Sequence, residues 1–318
     1  MPAKGTAVTY ALICALAAVF FGAKLALGGG PGVVIIKSNP AAPFNQAAEV
    51  IADRLRRDPL QPEQFTFDLE GDDTNVPRVL AELRRLHPRL VITVGSFATA
   101  GAMNEPAAEP LLFSMVLYPR QSGLTSTPNR RVTGASLDIP LVVQFKYLRR
   151  LFPQARRVGV LYHSVETGSI IEEARQVAAS QGFILIAVTV DEPGRALPAL
   201  KLLLPQIDVL WTVADSHVFS PQTTSPLILA TLRSNIPLFG LSTAHVHAGA
   251  VAALTADYAD VGMQTAEIAL RVLRGEDPAQ IQMVTPRKVS LVLNLRSASH
   301  LGIQIPPDLL DEAGEVIR

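Results

Sequence analysis

The chain alternates short apolar runs with amphipathic stretches. Residues 33–36 form a β-branched run closed by Lys37, Ser38, Asn39 and Pro40. A helical pattern follows over 44–57, with Ala47, Ala48, Ile51 and Leu55 on one face. A second strand is predicted at 65–69. The stretch 76–86 is amphipathic, with Val79, Leu80, Leu83 and Leu86 apolar and Arg78, Glu82, Arg84 and Arg85 outward. Residues 90–94 are apolar enough for a strand buried on both faces. Gly95 and Ser96 turn it into a small alanine-rich helix, and 111–115 is a fourth strand. Strand and helix in strict alternation predict a parallel sheet covered by helices on both faces.

The pattern then restarts. Residues 122–131 carry Gly, Pro, Ser, Thr and Asn and read as a connection. Pro140 opens a helix to 152, as proline at a first helical turn does. Strands are predicted at 158–162, 184–190, 209–213, 237–240, 251–255 and 289–293. Helices are predicted at 169–181, 195–204, 223–234 and 258–274, with Glu172 and Glu173 in the first turn of the 169–181 helix, where the dipole favours them. The fold class expected is therefore α/β: two similar halves in tandem, each a parallel sheet flanked by helices. Sheets of this kind place ligand sites beyond the carboxyl ends of their strands. If those ends face each other, a cleft forms and a hinge can close it.

The start of the chain reads differently. Lys4 is the only charge before Lys24, and the residues between are uncharged and rich in Ala, Val, Leu and Phe. This is the layout of an export signal, and the run is also just long enough to span a bilayer, at about 28 Å as a helix. Glycines around Pro31 follow as a tether, so residues 1–30 are expected to be a signal peptide or an N-terminal membrane anchor. Cys14 sits inside the apolar run, not after it as a lipoprotein signal requires. The remainder is expected outside the cytoplasmic membrane.

Composition narrows the function classes. Of 318 residues, 48% are hydrophobic and 18% charged, so a large core is available. Lys+Arg and Asp+Glu stand at 28 each with no basic run, which argues against nucleic acid as a partner. Cys14 is the only cysteine, which excludes an internal disulfide and, past the first thirty residues, thiolate metal sites and cysteine nucleophiles. No Gly-x-Ser-x-Gly elbow, His-Glu-x-x-His helix or phosphate loop occurs. His245 and His247 would share a face in an extended segment, with Asp257 not far along the chain, but two histidines are a low-specificity signal. No catalytic residue, metal or cofactor is expected.

Val132-Thr-Gly-Ala-Ser136 followed by Ile139-Pro140 resembles ABC-transporter substrate-binding proteins of the tryptophan/tyrosine-binding type. The resemblance implies the periplasmic binding protein type 1 fold: two Rossmann-like lobes with parallel sheets flanked by helices, hinged around a central cleft. The likeness continues through Leu151-Phe-Pro153, Arg157-Val-Gly-Val-Leu-Tyr162, Asp208-Val-Leu-Trp211, Asp215, Ile236-Pro-Leu-Phe239, Gly249-Ala250, Asp257-Tyr258, Gly262, Leu273-Arg-Gly275 and the tail from Asn294 to Pro306. In the first lobe it rests on Val94-Gly95-Ser96 and the strand around Phe113-Ser114. The resemblance implies an extracytoplasmic solute-binding protein, free or anchored by its N-terminal helix, that captures a small polar, amino acid-like metabolite for an ABC permease and ATPase. A membrane-anchored ligand-sensing module, and a hydrolase behind it, are the competing readings. The lobes are expected at 31–136 plus 256–286 and at 137–255 plus 287–318.

Two positions that face the cleft in the family depart here. The segment after Tyr162 keeps serine (Ser164, Ser169) but lacks the family's asparagine, and Ser216 stands where asparagine commonly follows the acidic residue. These departures weaken the implication of an aromatic amino acid. Ser38 and Ser96 from the first lobe, with Asn39 and Gly95 beside them, and Ser169 from the second are candidates to hold a ligand carboxylate, since helix starts offer free N–H groups. The same serines serve equally as ordinary helix caps, worth ~1 kcal/mol each. Asp215, with Ser216 beside it, is the candidate partner of a ligand ammonium group or the cap of a local turn. Tyr258 offers an aromatic face to the ligand or packs the last long helix.

Overall fold

A computed structural model describes residues 32–105, 109–124 and 131–318. The expected signal or anchor at 1–30, and most of the connection expected at 122–131, lie outside them. Among the described residues no helix is long and apolar enough to cross a membrane.

The chain builds two sheets. The first holds β1 (Val33–Lys37), β2 (Gln64–Asp68), β3 (Leu90–Val94), β4 (Leu111–Val116) and β5 (Val132–Ser136), all parallel, in the order β2-β1-β3-β4-β5. Strands β1 and β3 are apolar on both faces because helices cover both. Val33 and Ile35 meet helix α1 (Ala42–Arg56), while Val34 and Ile36 meet α2 (Val76–Leu86) and α3 (Ser96–Met103). The face of α1 is the one its spacing predicts: Ala47, Ala48, Ile51 and Leu55 are buried.

After α4 (Leu141–Leu151) the second sheet is built from β6 (Arg157–Tyr162), β7 (Ile184–Thr189), β8 (Val209–Trp211), β9 (Leu238–Gly240), β10 (Ala252–Ala256), β11 (Val289–Asn294) and β12 (Ala313–Ile317). Its order is β12-β11-β10-β9-β8-β6-β7, parallel except for the β10–β11 pair. Between the strands run α5 (Ser164–Ser180), α6 (Ala196–Leu203), α7 (Thr224–Arg233) and α8 (Thr243–His247). Trp211 is 1% exposed and packs its ring on Phe145 at 5.1 Å between centroids.

The two lobes exchange chain more than once. It leaves the first sheet after β5 and returns after β10 as α9 (Tyr258–Leu273), which packs along α1. A segment at Val284 then bridges to Ala135 beside β5 before the chain passes back into β11. The helices α10 (Leu295–His300) and α11 (Pro307–Glu312) close the second lobe.

Several local expectations are corrected. Helix α5 starts at Ser164, not at 169, because the His163 ring nitrogen Nδ1 accepts the Glu166 N–H at 3.3 Å and caps it. Glu166, not Glu172 or Glu173, therefore occupies its first turn, and Ser169 lies within the helix. His245 and His247 sit on the short helix α8 and not on an extended segment. His245 turns inward and accepts the Leu241 N–H, while His247 reaches Glu315 at 3.1 Å, so the two share no site. Strands β5 and β12 and helices α8, α10 and α11 add to the elements predicted.

Candidate functional site

Beyond the carboxyl ends of the parallel strands lie two adjoining cavities walled by both sheets. One, of about 480 Å³, is lined by Tyr118, Asp138, Gln144, Glu173 and Ala214 among others. The second, of about 650 Å³, is lined by Tyr118, Glu166, Asp215, Ser216, His245 and Tyr258 among others. Tyr118 follows β4, Asp138 follows β5, and Ala214 and Asp215 follow β8, so each strand end delivers its next residues into the same space.

Tyr118 stands at the junction. A bulge at the end of β4 leaves Met115 at φ 58°, and Tyr118 itself is at φ 49°. Left-handed backbone is costly for bulky residues and is found where the surroundings over-determine it. Here the Tyr118 N–H donates to Asp138 Oδ1 at 2.8 Å, and its hydroxyl accepts the Ala214 N–H from the other sheet at 3.3 Å. Burial, with carboxylates nearby, pushes the phenol well above its usual value, so it stays neutral.

Asp138 is a half-buried acid in the wall of the first cavity. Burial pushes its carboxyl up to about 6, against the opposing pull of the Tyr118 N–H and the Ser136 hydroxyl. Gln144 is fixed at both ends of its amide: the oxygen accepts from Trp211 Nε1 at 2.9 Å and the nitrogen donates to the Ile139 carbonyl at 2.8 Å.

Asp215 is 2% exposed. Its carboxylate accepts the His163 N–H at 2.6 Å, the Thr167 hydroxyl at 2.6 Å, and the N–H groups of His217 at 3.0 Å and Val218 at 3.1 Å. It thus ties the β6–α5 turn to the end of β8 while lining the second cavity. Ser216 donates from both its N–H and its hydroxyl to Glu166. Tyr258 is half-buried on the same wall, and burial raises its phenol.

The structure brings Asp215, Ser216 and Tyr258 together and leaves the other expected residues off both cavity walls. Ser38 Oγ accepts the Ala98 N–H at 3.0 Å and caps α3 across the sheet. Gly95 is at φ 95°, and a Cβ there would lie 2.4 Å from that hydroxyl. Asn39 accepts the Ala41 N–H at 2.9 Å. Ser96, Ser164 and Ser169 are exposed on α3 and α5. Ser38→Ala is expected to lower stability by about 1–2 kcal/mol, because the buried Ala98 N–H loses its acceptor. Urea unfolding measures this; a loss of ligand affinity at unchanged stability would instead put Ser38 in the site. Tyr118, Asp138, Gln144 and Glu166 were not singled out by spacing. Asp138 and Glu166 lie near signals, the first between the segments 132–136 and 139–140 and the second in the segment after Tyr162 that departs from the family.

Comparison with known proteins agrees with this architecture. A family model described as ABC transporter substrate binding protein matches residues 61–317. A tyrosine-binding protein of Clostridioides difficile is 23% identical over 221 residues, which are 68% of this chain; the match spans 63% of that relative's length. A Streptococcus pneumoniae ABC domain solved with L-Trp superposes with a TM-score of 0.67 at 23% identity, covering 91% of this chain and all of that one. The ligand-free, open structure of a Clostridium difficile substrate-binding protein with adhesive properties gives 0.75 at 19% identity, covering 90% and 99%. The shared fold is that of the type 1 periplasmic binding proteins.

Proposed function

Since the chain belongs to the family of ABC transporter substrate-binding proteins, we propose that it captures a small, polar, amino acid-like metabolite in a cleft between its lobes. It works outside the cytoplasmic membrane and hands the ligand to the permease and ATPase of an importer. The lobes comprise 31–136 plus 256–286 and 137–255 plus 287–318, and the connections between them form the hinge.

The observation that carries the reading is the meeting of strand ends from both sheets at Tyr118, whose hydroxyl takes a bond from Ala214 across the gap. A ligand held there touches both halves at once, so binding favours closure. Asp138 is the best acceptor for a ligand ammonium group. It is half-buried in the cavity wall, and an ammonium partner within about 4 Å favours its ionised form. Asp215 is a poorer one, because its oxygens already take protein donors. Tyr258 offers an aromatic face, and Ser216 and Gln144 line the walls. Two relatives, one named for tyrosine and one solved with L-Trp, support an amino acid as the ligand. No chemical step on the ligand is part of this function.

The test is a thermal-shift screen of single amino acids and related metabolites, followed by calorimetry. A true ligand at 100 times its dissociation constant adds ~2.7 kcal/mol. Asp138→Asn is expected to weaken an ammonium-bearing ligand at least ~10-fold. In the wild type, affinity should fall as the pH drops through about 6, when Asp138 takes up its proton; in Asp138→Asn that dependence should vanish. The free protein shows the opposite trend in stability. The folded carboxyl holds its proton more tightly than the unfolded one, so stability from this group rises as the pH falls from above 6 towards the ordinary carboxylate range. A screen in which no amino acid or polar metabolite raises the melting temperature removes the proposal.

A further inference from the structure

A cluster at the end of β6 has chemistry that ligand capture does not need. His163, Glu166 and His217 each present a metal-ligating atom, and these atoms lie within 4.8 Å of one another. The two imidazole rings stack with centroids 3.8 Å apart and planes 9° from parallel. His217 Nδ1 lies 2.8 Å from Glu166 Oε2. Among the described residues, the Nε2 atoms of both rings have no protein partner.

The backbones that carry these side chains are fixed. The buried Asp215 carboxylate takes the N–H of His163 and the N–H of His217, so one residue sets the spacing of both histidines. Glu166 lies one turn into the helix that His163 caps. Its carboxylate is desolvated by burial, yet the Ser216 donors and His217 hold it below the usual value and keep it ionised. Supported side chains on fixed elements are what a ligand site requires.

We propose that His163, Glu166 and His217 form a binding site for a divalent transition metal of the zinc class. Two imidazole nitrogens and one carboxylate oxygen suit Zn²⁺, Co²⁺ and Ni²⁺, whereas Ca²⁺ and Mg²⁺ take oxygen ligands. Ligand bonds of about 2.0–2.1 Å in a tetrahedron set the donors about 3.4 Å apart. Reaching that spacing from donors within 4.8 Å of one another requires the side chains to rotate. The stacked rings open so that their lone pairs converge, and His163 gives up its 3.3 Å cap bond, whichever nitrogen it uses. Three protein ligands leave a coordination position open, and Glu166 also lines the second cavity. The site is thus placed to meet a donor atom of whatever enters there.

The experiment uses untagged, chelator-treated full-length protein. Zn²⁺ is titrated by calorimetry, bound zinc is counted by elemental analysis after gel filtration, and Co²⁺ absorption reports the coordination geometry. One equivalent per chain is expected. His217→Gln and Glu166→Gln, which keep size and hydrogen bonding, should each weaken binding at least ~10-fold. His163→Ala should do the same, and His247→Ala, which removes the separate contact to Glu315, should not. Melting curves show whether each variant is folded; if His163→Ala is not, the two glutamine variants decide. The proposal is overturned if the wild type takes up no zinc at about 100 µM, or if the folded variants bind as the wild type does.

Discussion

Asp215→Ala is expected to lower folding stability by about 3–5 kcal/mol, the cost of stranding the partners of a buried charge. The carboxylate closes a junction between segments some fifty positions apart in sequence: the turn after β6 and the segment after β8. Thr167 is fully buried and has Asp215 as its closest acceptor, at 2.6 Å. Each buried donor left bare costs about 1–3 kcal/mol. The total stays below the sum because His163 and His217 are only half-buried and water reaches them. Asp215→Asn keeps one acceptor oxygen and should lose less. Urea unfolding at neutral pH measures both, as a shift in midpoint with unchanged slope. If Asp215→Ala unfolds with the wild type and instead fails to bind an ammonium-bearing ligand, the carboxylate belongs to the ligand and not to the junction.

Gly134→Ala should cost at least about 3 kcal/mol, or prevent folding. Overpacking costs about 1–3 kcal/mol where side chains can move aside, and here the obstruction is main chain. A Cβ on Gly134 would lie 2.0 Å from the Phe113 carbonyl oxygen and 2.8 Å from its carbon, on the strand paired with it. The carbonyl of Gly134 also accepts the Val284 N–H at 3.0 Å, so β5 is held on its far side as well. Relief requires β4 and β5 to separate, directly beneath Tyr118 and Asp138. Gly194→Ala, with open space around it, is the matched control. Expression yield and thermal unfolding by circular dichroism read the difference; equal melting of the two variants would mean that β5 yields without loss.

These residues also mark what could be read from the chain and what could not. Strands such as β1 and β3, and the inward face of α1, follow from burial on both sides or on one stripe, which the order of apolar residues records directly. Strand β5 has glycine at its centre and too few apolar residues to signal itself. Only the family resemblance drew attention to it, and the close approach of Phe113 is the physical reason for that glycine. The start of α5 was hidden because a histidine nitrogen does the capping that Ser, Thr, Asp or Asn usually does. Residues 245–247 are not extended, and their histidines share no face, because Ser242, which accepts the His245 N–H, nucleates a short helix there. The site was least legible of all. Asp138, Glu166 and His217 carry no common spacing; the sheet order that puts β8 beside β6 brings two of them together, and the bulge after β4 supplies the tyrosine that meets the third. Asp215 was found because the family resemblance runs through it just past an obvious strand, although its oxygens are occupied by the protein.

Helix α9 carries a consequence for synthesis. The apolar underside of the first sheet, with Val33, Ile35 and Ile92, is finished only by Val261, Ile268 and Leu273. The ribosome must add roughly 140 residues after β5 before that cover exists, which takes on the order of 10 s. For that interval the early strands present to whatever is nearby a greasy face that α1 covers only in part. A nascent chain stalled before residue 258 should therefore bind holdase chaperones, and one stalled well past 273 should release them.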